Sequence, residues 1–184
     1  MRIRLAFVVA VCVVLAFDQG SKAWARTLPT RPANCGVAEL AKLACAGVPQ
    51  PVIDGYWDWE LAENRGAAFS ILERSHGARL FATETAGQIV LALIAAAALV
   101  WIGIVASGTQ PEQRAKRLGL ALVAGGALGN LVDRVRDGAV TDFVRWHVRD
   151  HMWPIFNVAD AALLIGVVLL LADNLIVRRR TRAA

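Results

Sequence analysis

Residues 87–105 read GQIVLALIAAAALVWIGIV, a run of 19 positions without a charged side chain, and this stretch decides the fold class. A helix that crosses the hydrocarbon core of a bilayer needs about 20 predominantly apolar residues. The whole chain agrees, because 57% of its 184 residues are hydrophobic and 19% are charged, whereas soluble domains average about 45–50% and about 25%. The composition excludes a disordered chain and argues against a water-soluble domain.

Three shorter apolar runs accompany this segment, at residues 5–17, 118–132 and 161–172. Each reaches the length of a span when the polar residues beside it are placed at the helix ends. We therefore predict a membrane all-α bundle of four transmembrane helices, within a single integral membrane domain that covers residues 1–184. The predicted helices lie at about 5–25, 83–107, 117–136 and 156–177.

The first segment has two interpretations. Its basic start, short apolar run and small-x-small site at Ala23-Trp24-Ala25 also describe a cleavable signal peptide. Asp18 and Lys22 favour the other interpretation, because a spacing of i,i+4 pairs them on one face of a longer helix. We therefore expect a retained first helix.

Four spans leave both termini on one side of the membrane, and the basic residues indicate which side. The loop between the second and third spans and the C-terminal tail are rich in Lys and Arg. Because such residues favour the cytoplasmic side, both termini are expected in the cytoplasm. The basic residues concerned are Arg2, Arg4, Arg114, Lys116, Arg117, Arg178, Arg179, Arg180 and Arg182.

Two segments then lie outside the membrane, at about 26–80 and 137–155. The alternation of apolar and acidic residues over 57–61 predicts a strand, and a second strand is expected at 67–72. These strands form a small extracytoplasmic β-sheet at the bilayer surface, next to a loop insertion at 27–51 with a short helical patch at 37–45. Cys35 and Cys45 are candidates for a disulfide in that insertion.

Polar residues near the outer ends of the predicted helices are the main functional signal, because an ionisable group at membrane depth is costly. Asn130 and Asp133 share a helix face at i,i+3, and Asn157 and Asp160 repeat that spacing. Asp142 lies between these two helices. The short connection brings these groups to one level of the membrane.

Two neighbouring carboxylates hold one proton between them at neutral pH. Such a pair activates water and polarises a carbonyl group, as in aspartic proteases. Three alternatives remain open from the residues alone. In the first, the acids cap helix ends. In the second, Asp133 forms an ion pair with its neighbour Arg134 that anchors the end of the helix. In the third, the protein is a small proton- or cation-coupled membrane transporter. His147 and His151 have a metal-binding spacing but no evident third ligand, so neither a metal nor another cofactor is expected.

Five sequence blocks, taken together and in this order, resemble the lipoprotein signal peptidase (signal peptidase II) family. These blocks are FDQGSK at 17–22, NRGAAFS at 64–70, GGALGNLVDR at 125–134, VTDF at 140–143 and FNVAD at 156–160. The resemblance covers about residues 5–175 apart from the 27–51 stretch. It departs from the family pattern at Arg65, at Thr141 and in the length of that stretch.

The resemblance implies an aspartic endopeptidase of the bacterial cytoplasmic (inner) membrane that removes the signal peptide from a diacylglyceryl prolipoprotein. The cut falls just before the lipid-modified Cys, at the extracytoplasmic face. Membrane lipid is the other expected partner, a nucleic acid is not, and the protein is expected to act as a monomer. The resemblance implies Asp142 and Asp160 as catalytic residues, with substrate-binding or supporting roles for Asn64, Gly66, Asn130, Arg134, Asn157, Asp18 and Lys22.

Overall fold

The computed structural model describes residues 2–32, 46–65, 84–110, 112–148 and 151–182. Within these residues the chain forms four long helices and six strands. The helices are α1 (Arg2–Ala25), α2 (Glu84–Ser107), α3 (Arg114–Asp137) and α4 (Val158–Arg182). The strands are β1 (Thr30–Arg31), β2 (Ala46–Gly47), β3 (Gln50–Ile53), β4 (Trp57–Asn64), β5 (Val140–Val148) and β6 (His151–Met152).

The predicted architecture of four spanning helices and a small sheet is confirmed. Each helix contains a segment that is long and apolar enough to cross a membrane. The fourth helix begins at Val158, two residues later than the predicted boundary. Phe156 is not helical because its N–H and C=O exchange hydrogen bonds with Val144, at 3.1 and 2.8 Å.

The helices differ in how much of their surface other parts of the protein cover. Half of the apolar window of α3 is buried, compared with 6% for α2, 11% for α1 and 17% for α4. Large apolar side chains such as Leu93, Ile104 and Leu164 are exposed. Apolar patches of this extent are unusual on a protein surrounded by water. The lipid of a bilayer is the solvent that suits them.

The chain divides into two compact units. The first, here called the helical unit, comprises residues 1–18, 95–129 and 158–184. The second, here called the sheet unit, comprises residues 19–94 and 130–157. The core of the helical unit forms around Ile102, Leu120 and Ala124.

Glycines allow close helix packing in the helical unit. A Cβ atom on Gly166 of α4 would lie 2.7 Å from the Gly119 carbonyl oxygen of α3 and 3.0 Å from the Val123 backbone nitrogen. On Gly125, it would lie 2.6 Å from the Val14 Cβ of α1. Small residues of this kind let helix backbones approach each other in a membrane, where apolar burial drives association only weakly.

The sheet unit contains a four-stranded antiparallel sheet in the order β3–β4–β5–β6, and a separate β1–β2 pair. The predicted strand at 57–61 is present and extends to Asn64. The strand β5 is not among the strands predicted from the sequence, which places 137–155 outside the membrane without assigning a strand to it. The predicted strand at 67–72, the helical patch at 37–45, and Cys35 and Cys45 lie outside the described residues.

The register between β4 and β5 places Glu63 opposite Thr141 and Ala62 opposite Asp142. The register shifts between Trp59 and Ala62, where β4 carries one residue more than its partner strand. A bulge of this kind redirects the side chains that follow it. The shift therefore sets where Glu63 and the end of β4 point.

Two further features join the sheet to the helix ends within this unit. Gly138 follows α3 with a φ of 69°, a left-handed conformation that ends a helix and that glycine adopts without strain. Its N–H donates to the Arg134 carbonyl at 3.1 Å. The Trp24 ring near the end of α1 packs edge-on against Trp59, at 5.2 Å, and Phe143, at 5.9 Å.

The close approach at Gly166 can be tested with a single methyl group. We expect Gly166→Ala to destabilise the folded protein by about 1–3 kcal/mol, because backbone atoms of α3 occupy the space that the methyl group needs. The measurement is thermal unfolding in detergent micelles. Gly103→Ala is the control, since a Cβ on Gly103 meets no atom within 4 Å. Equal melting temperatures for the two variants would contradict the packing argument.

Candidate active site

The centre of the sheet unit is a buried ion pair between α1 and α3. Lys22 Nζ lies 2.9 Å from Asp133 Oδ2, and both side chains have no exposed surface. Lys22 also donates to Asn130 Oδ1 at 3.0 Å, and Gln19 Nε2 donates to Asp133 Oδ1 at 2.9 Å. A buried charge is tolerated only when it is paired and hydrogen-bonded in this way.

The sheet unit holds Asp142 through two amide side chains. Asn157 Nδ2 donates to Asp142 Oδ1 at 2.6 Å, and Asn64 Nδ2 donates to Asp142 Oδ2 at 3.1 Å. Asn157 Nδ2 also lies 3.2 Å from Asn130 Oδ1. Asn157 is fully buried, and Asp142 is only 2% exposed. Each carboxylate oxygen of Asp142 thus accepts an N–H bond, which stabilises its negative charge and fixes its orientation.

A second polar cluster adjoins Asp142. The Thr141 hydroxyl donates to Glu63 Oε1 at 2.9 Å and accepts hydrogen bonds from Arg26 Nε and Nη2, at 3.1 and 2.8 Å. Arg26 Nη2 also lies 2.9 Å from Asp137 Oδ2. The Thr141 backbone N–H donates to Asp133 Oδ2 at 3.3 Å, which connects this cluster to the buried ion pair.

Glu63 is the acid in this cluster with a strongly altered titration. Burial raises the pKa of the Glu63 carboxyl from its ordinary value of 4.5 to about 7. The Thr141 hydroxyl and the Arg26 guanidinium oppose that rise, and the negative charges of Asp133 and Asp137 add to it. Removal from water disfavours the charged carboxylate most strongly.

Asp18 and Asp160 belong to the helical unit. Asp18 is fully buried, and its Oδ1 accepts the Ala159 backbone N–H at 3.0 Å. A carboxylate is favourable there, because the first N–H groups of a helix lack partners within the helix. Gly129 has no Cβ, which leaves room for the Asp18 carboxylate. Asp18 therefore holds the first turn of α4, which carries Asp160.

Of the predicted site residues, the structure brings Lys22, Asn64, Asn130, Asp142 and Asn157 together within the sheet unit. Arg134 extends along α3 and donates from Nη1 to the Asn130 carbonyl at 3.2 Å. Gly66 lies outside the described residues.

No group of three or more His, Cys, Asp or Glu side chains that could hold a metal ion occurs in the part of the chain that the structure describes. His147 is one of the two histidines with a metal-binding spacing. Its Nε2 lies 3.0 Å from Asp58 Oδ2 on the neighbouring strand β4.

Comparison with known proteins identifies the family of this chain. A family model described as signal peptidase (SPase) II matches residues 10–176. The chain belongs to the signal peptidase II family. The lipoprotein signal peptidase of Xanthomonas campestris pv. campestris is 34% identical over 180 residues, which cover 98% of this chain and 94% of that protein. The lipoprotein signal peptidase of Xylella fastidiosa is 36% identical over 157 residues, which cover 84% and 79%.

Solved structures of bacterial membrane enzymes agree with this family assignment. One has a TM-score of 0.66 and 25% sequence identity, with 92% of this chain and 87% of that chain covered. Another has a TM-score of 0.63 and 28% identity, with 91% and 90% covered.

Membership of the signal peptidase II family confirms the resemblance found in the sequence. It makes the chain a peptidase, and therefore a hydrolase, and it supports cleavage of signal peptides from prolipoproteins. The spanning helices and the family together fit a protein of the bacterial inner membrane. Family membership therefore favours the peptidase over the transporter alternative.

Sequence reasoning missed Arg26, Glu63 and the contacts of Thr141. Arg26 follows Asp18 and Lys22 at the same four-residue interval, so extending the predicted helix by one residue places all three on one face. Glu63 had no such signal, because its partner lies 78 residues away on a strand that the sequence did not predict.

The buried ion pair yields a stability prediction. We expect Lys22→Met to lower the free energy of unfolding by about 3–5 kcal/mol, because Asp133 then keeps a buried charge without its closest cation. The double variant Lys22→Met/Asp133→Leu should recover much of this loss. Thermal unfolding in micelles measures both, with Lys116→Met as a control for removing a lysine outside the cluster. A double variant less stable than the single one would contradict the prediction.

Glu63 yields a prediction about pH. The folded chain retains a proton on Glu63 up to about pH 7, whereas the unfolded chain loses it near 4.5. The contribution of Glu63 to stability is therefore full below pH 4.5 and is lost as pH rises towards 7. We expect the melting temperature of Glu63→Gln, relative to the unmodified protein, to rise across that range. Glu60→Gln on the same strand is the control, and a pH-independent difference for Glu63→Gln would contradict the prediction.

Proposed function

We propose that this peptidase removes the signal peptide of a diacylglyceryl-modified bacterial prolipoprotein by cutting just before the lipid-modified Cys. Asp142 and Asp160 act as an aspartate dyad that activates water. The protein works as a monomer with both termini in the cytoplasm, and the dyad lies at the extracytoplasmic face.

The observation that carries the proposal is the 2.6 Å hydrogen bond from Asn157 to Asp142. Asn157 precedes Asp160 by three residues, and three residues span at most about 11 Å. Asp160 lies in the first turn of α4. Asn157, which binds the Asp142 carboxylate, is therefore close to Asp160 in the chain. This closeness supports a dyad built from Asp142 and Asp160.

The chemistry of such a dyad requires one shared proton. The ionised carboxylate takes a proton from water as the water oxygen attacks the scissile carbonyl carbon, and the protonated partner donates its proton to the carbonyl oxygen. Collapse of the tetrahedral intermediate breaks the C–N bond. The protonated carboxyl group gives its proton to the leaving amine, and the ionised carboxylate takes a proton from a hydroxyl group of the intermediate, which restores the single shared proton of the dyad. Asn64 and Asn157 suit Asp142 to carry the negative charge of the pair, because both donate to it.

The remaining site residues have supporting roles in this proposal. Lys22 and Asn130 support Asn157, because Asn130 Oδ1 accepts hydrogen bonds from Lys22 and from Asn157. Asp18 supports Asp160 through the first turn of α4. Arg134 and Gly66 contribute to binding of the substrate.

Lipid is the second partner in the proposal. The apolar side chains exposed on α2 and α4, among them Ile104 and Leu164, suit contact with acyl chains. The diacylglyceryl group of the substrate stays in the bilayer while the peptide reaches the dyad. The basic residues at the start of α3, including Arg114 and Lys116, support a cytoplasmic position for the preceding α2–α3 loop.

Substitution of either aspartate tests the proposed mechanism. We expect Asp142→Asn and Asp160→Asn each to lower the rate of signal-peptide removal by about 10²–10⁴-fold, because an amide cannot exchange the proton that the carboxyl group transfers. The measurement is cleavage of a diacylglyceryl-modified prolipoprotein by purified enzyme in micelles, with product identified by mass.

Asp173→Asn, which removes another carboxylate of α4, is the matched control and should retain full activity. Thermal unfolding verifies that every variant is folded. A folded Asp142→Asn or Asp160→Asn variant with normal activity would refute the aspartate dyad. Cleavage at another peptide bond would refute the proposed position of the cut.

A further inference from the structure

Thr141 lies next to Asp142 on β5, and each of its polar atoms has a partner in another segment. Its N–H donates to Asp133, at 3.3 Å, and its carbonyl accepts from Asn157 Nδ2, also at 3.3 Å. Its hydroxyl contacts Arg26 and Glu63. The residue has no exposed surface. A buried residue held at three separate groups leaves its neighbour little freedom to move.

The direction of the Thr141 hydroxyl follows from its neighbours. A threonine hydroxyl has one hydrogen to donate and two lone pairs that accept. Arg26 offers two N–H groups to the oxygen, and guanidinium nitrogens only donate. The hydroxyl hydrogen must therefore point to Glu63 Oε1, at 2.9 Å. Arg26, Thr141 and Glu63 thus form one directed set of hydrogen bonds, here called the hydroxyl clamp.

The hydroxyl clamp also fixes the register of the two strands beside Asp142. Glu63 and Thr141 are directly opposite each other in the antiparallel pair. Their chain neighbours, Asn64 and Asp142, point to the other face of the sheet, because successive side chains of a strand alternate. A hydrogen bond on one face therefore sets the spacing on the other, where Asn64 donates to Asp142 at 3.1 Å.

We propose that Thr141 is a positioning residue for Asp142, because its hydroxyl holds β4 and β5 at the spacing that lets Asn64 and Asn157 orient the carboxylate. This inference rests on the proposed function, in which Asp142 is catalytic. Thr141 itself does not touch the substrate. Its effect is on the rate of the chemical step, through the orientation of Asp142, and not on substrate affinity.

Glu63 makes the hydroxyl difficult to replace. Among the described residues, its second oxygen, Oε2, is buried and has no hydrogen-bond partner. Loss of the Thr141 hydroxyl would leave Oε1 without its donor as well. Valine has the shape of threonine but cannot make the bond, so the strands would shift to let water or another donor reach Glu63.

The test compares Thr141→Val with Thr141→Ser, using cleavage of a diacylglyceryl-modified prolipoprotein by the full-length enzyme in micelles. We expect Thr141→Val to lower kcat by about 10–100-fold with KM unchanged, because small displacements of a reacting group cost this much. Thr141→Ser keeps the hydroxyl and should retain kcat to within about 3-fold of the unmodified enzyme, since its bond to Glu63 can still form.

Thr109→Val is the matched control, because it also removes a buried hydroxyl, which donates to the Val105 carbonyl at 2.9 Å in the helical unit. It should leave kcat unchanged. If Thr141→Val does not accumulate in membranes, Arg26→Gln tests the same clamp by removing the guanidinium that orients the hydroxyl, and a lower kcat with unchanged KM is again expected.

Normal kcat in folded Thr141→Val, or in Arg26→Gln where that variant is used, would overturn the inference. A rise in KM alone, or equal losses in the Ser and Val variants, would overturn it too. Asp142→Asn in the same assay separates the two proposals. If it is inactive while Thr141→Val is normal, only the positioning role fails, and if it is active, the aspartate dyad fails.

Discussion

The buried charge of Lys22 is the constraint on which the sheet unit depends. An ammonium group without exposed surface requires an anion in contact, and Asp133 at 2.9 Å meets that requirement. The same carboxylate accepts the Thr141 N–H, and Lys22 also binds Asn130, whose side-chain oxygen accepts from Asn157. Satisfying one charge therefore positions groups from α1, α3 and β5, together with the residue just before α4.

Asp142 benefits from this order without belonging to the ion pair. Its two oxygens accept from Asn64 and Asn157, and both donors are neutral amides. Neutral donors orient a carboxylate and stabilise its charge, but they do not neutralise that charge. A cation in direct contact does neutralise it. Lys22 contacts Asp133, and Arg26 contacts Asp137. In the proposed mechanism, proton transfer is the role of Asp142. That separation of structural from reactive acids is what a signal peptidase of this proposed mechanism needs.

The helical unit solves a different physical problem. Lipid offers its helices little gain from burying apolar side chains, so they depend on close backbone contact. Gly119 and Gly166 allow that approach, and Gly129 leaves room for Asp18 beside Ala159. Here too a buried acid serves structure, since Asp18 binds the backbone at the start of α4. The sequence pattern that marked Asp18 as functional is explained equally well by this capping role.

The sequence by itself determined the number of spanning helices, the family and the identity of the polar residues near the helix ends. Long apolar runs have one stable solution in a bilayer, and the family's motifs are short and local. Only the tertiary structure decided the β5 strand, the partnership of Lys22 with Asp133 and the clamp of Arg26, Thr141 and Glu63. These contacts join residues 78 to 115 positions apart, or depend on a register shift in β4. No local pattern encodes them, because a strand register and a buried ion pair depend on which segments meet in the fold.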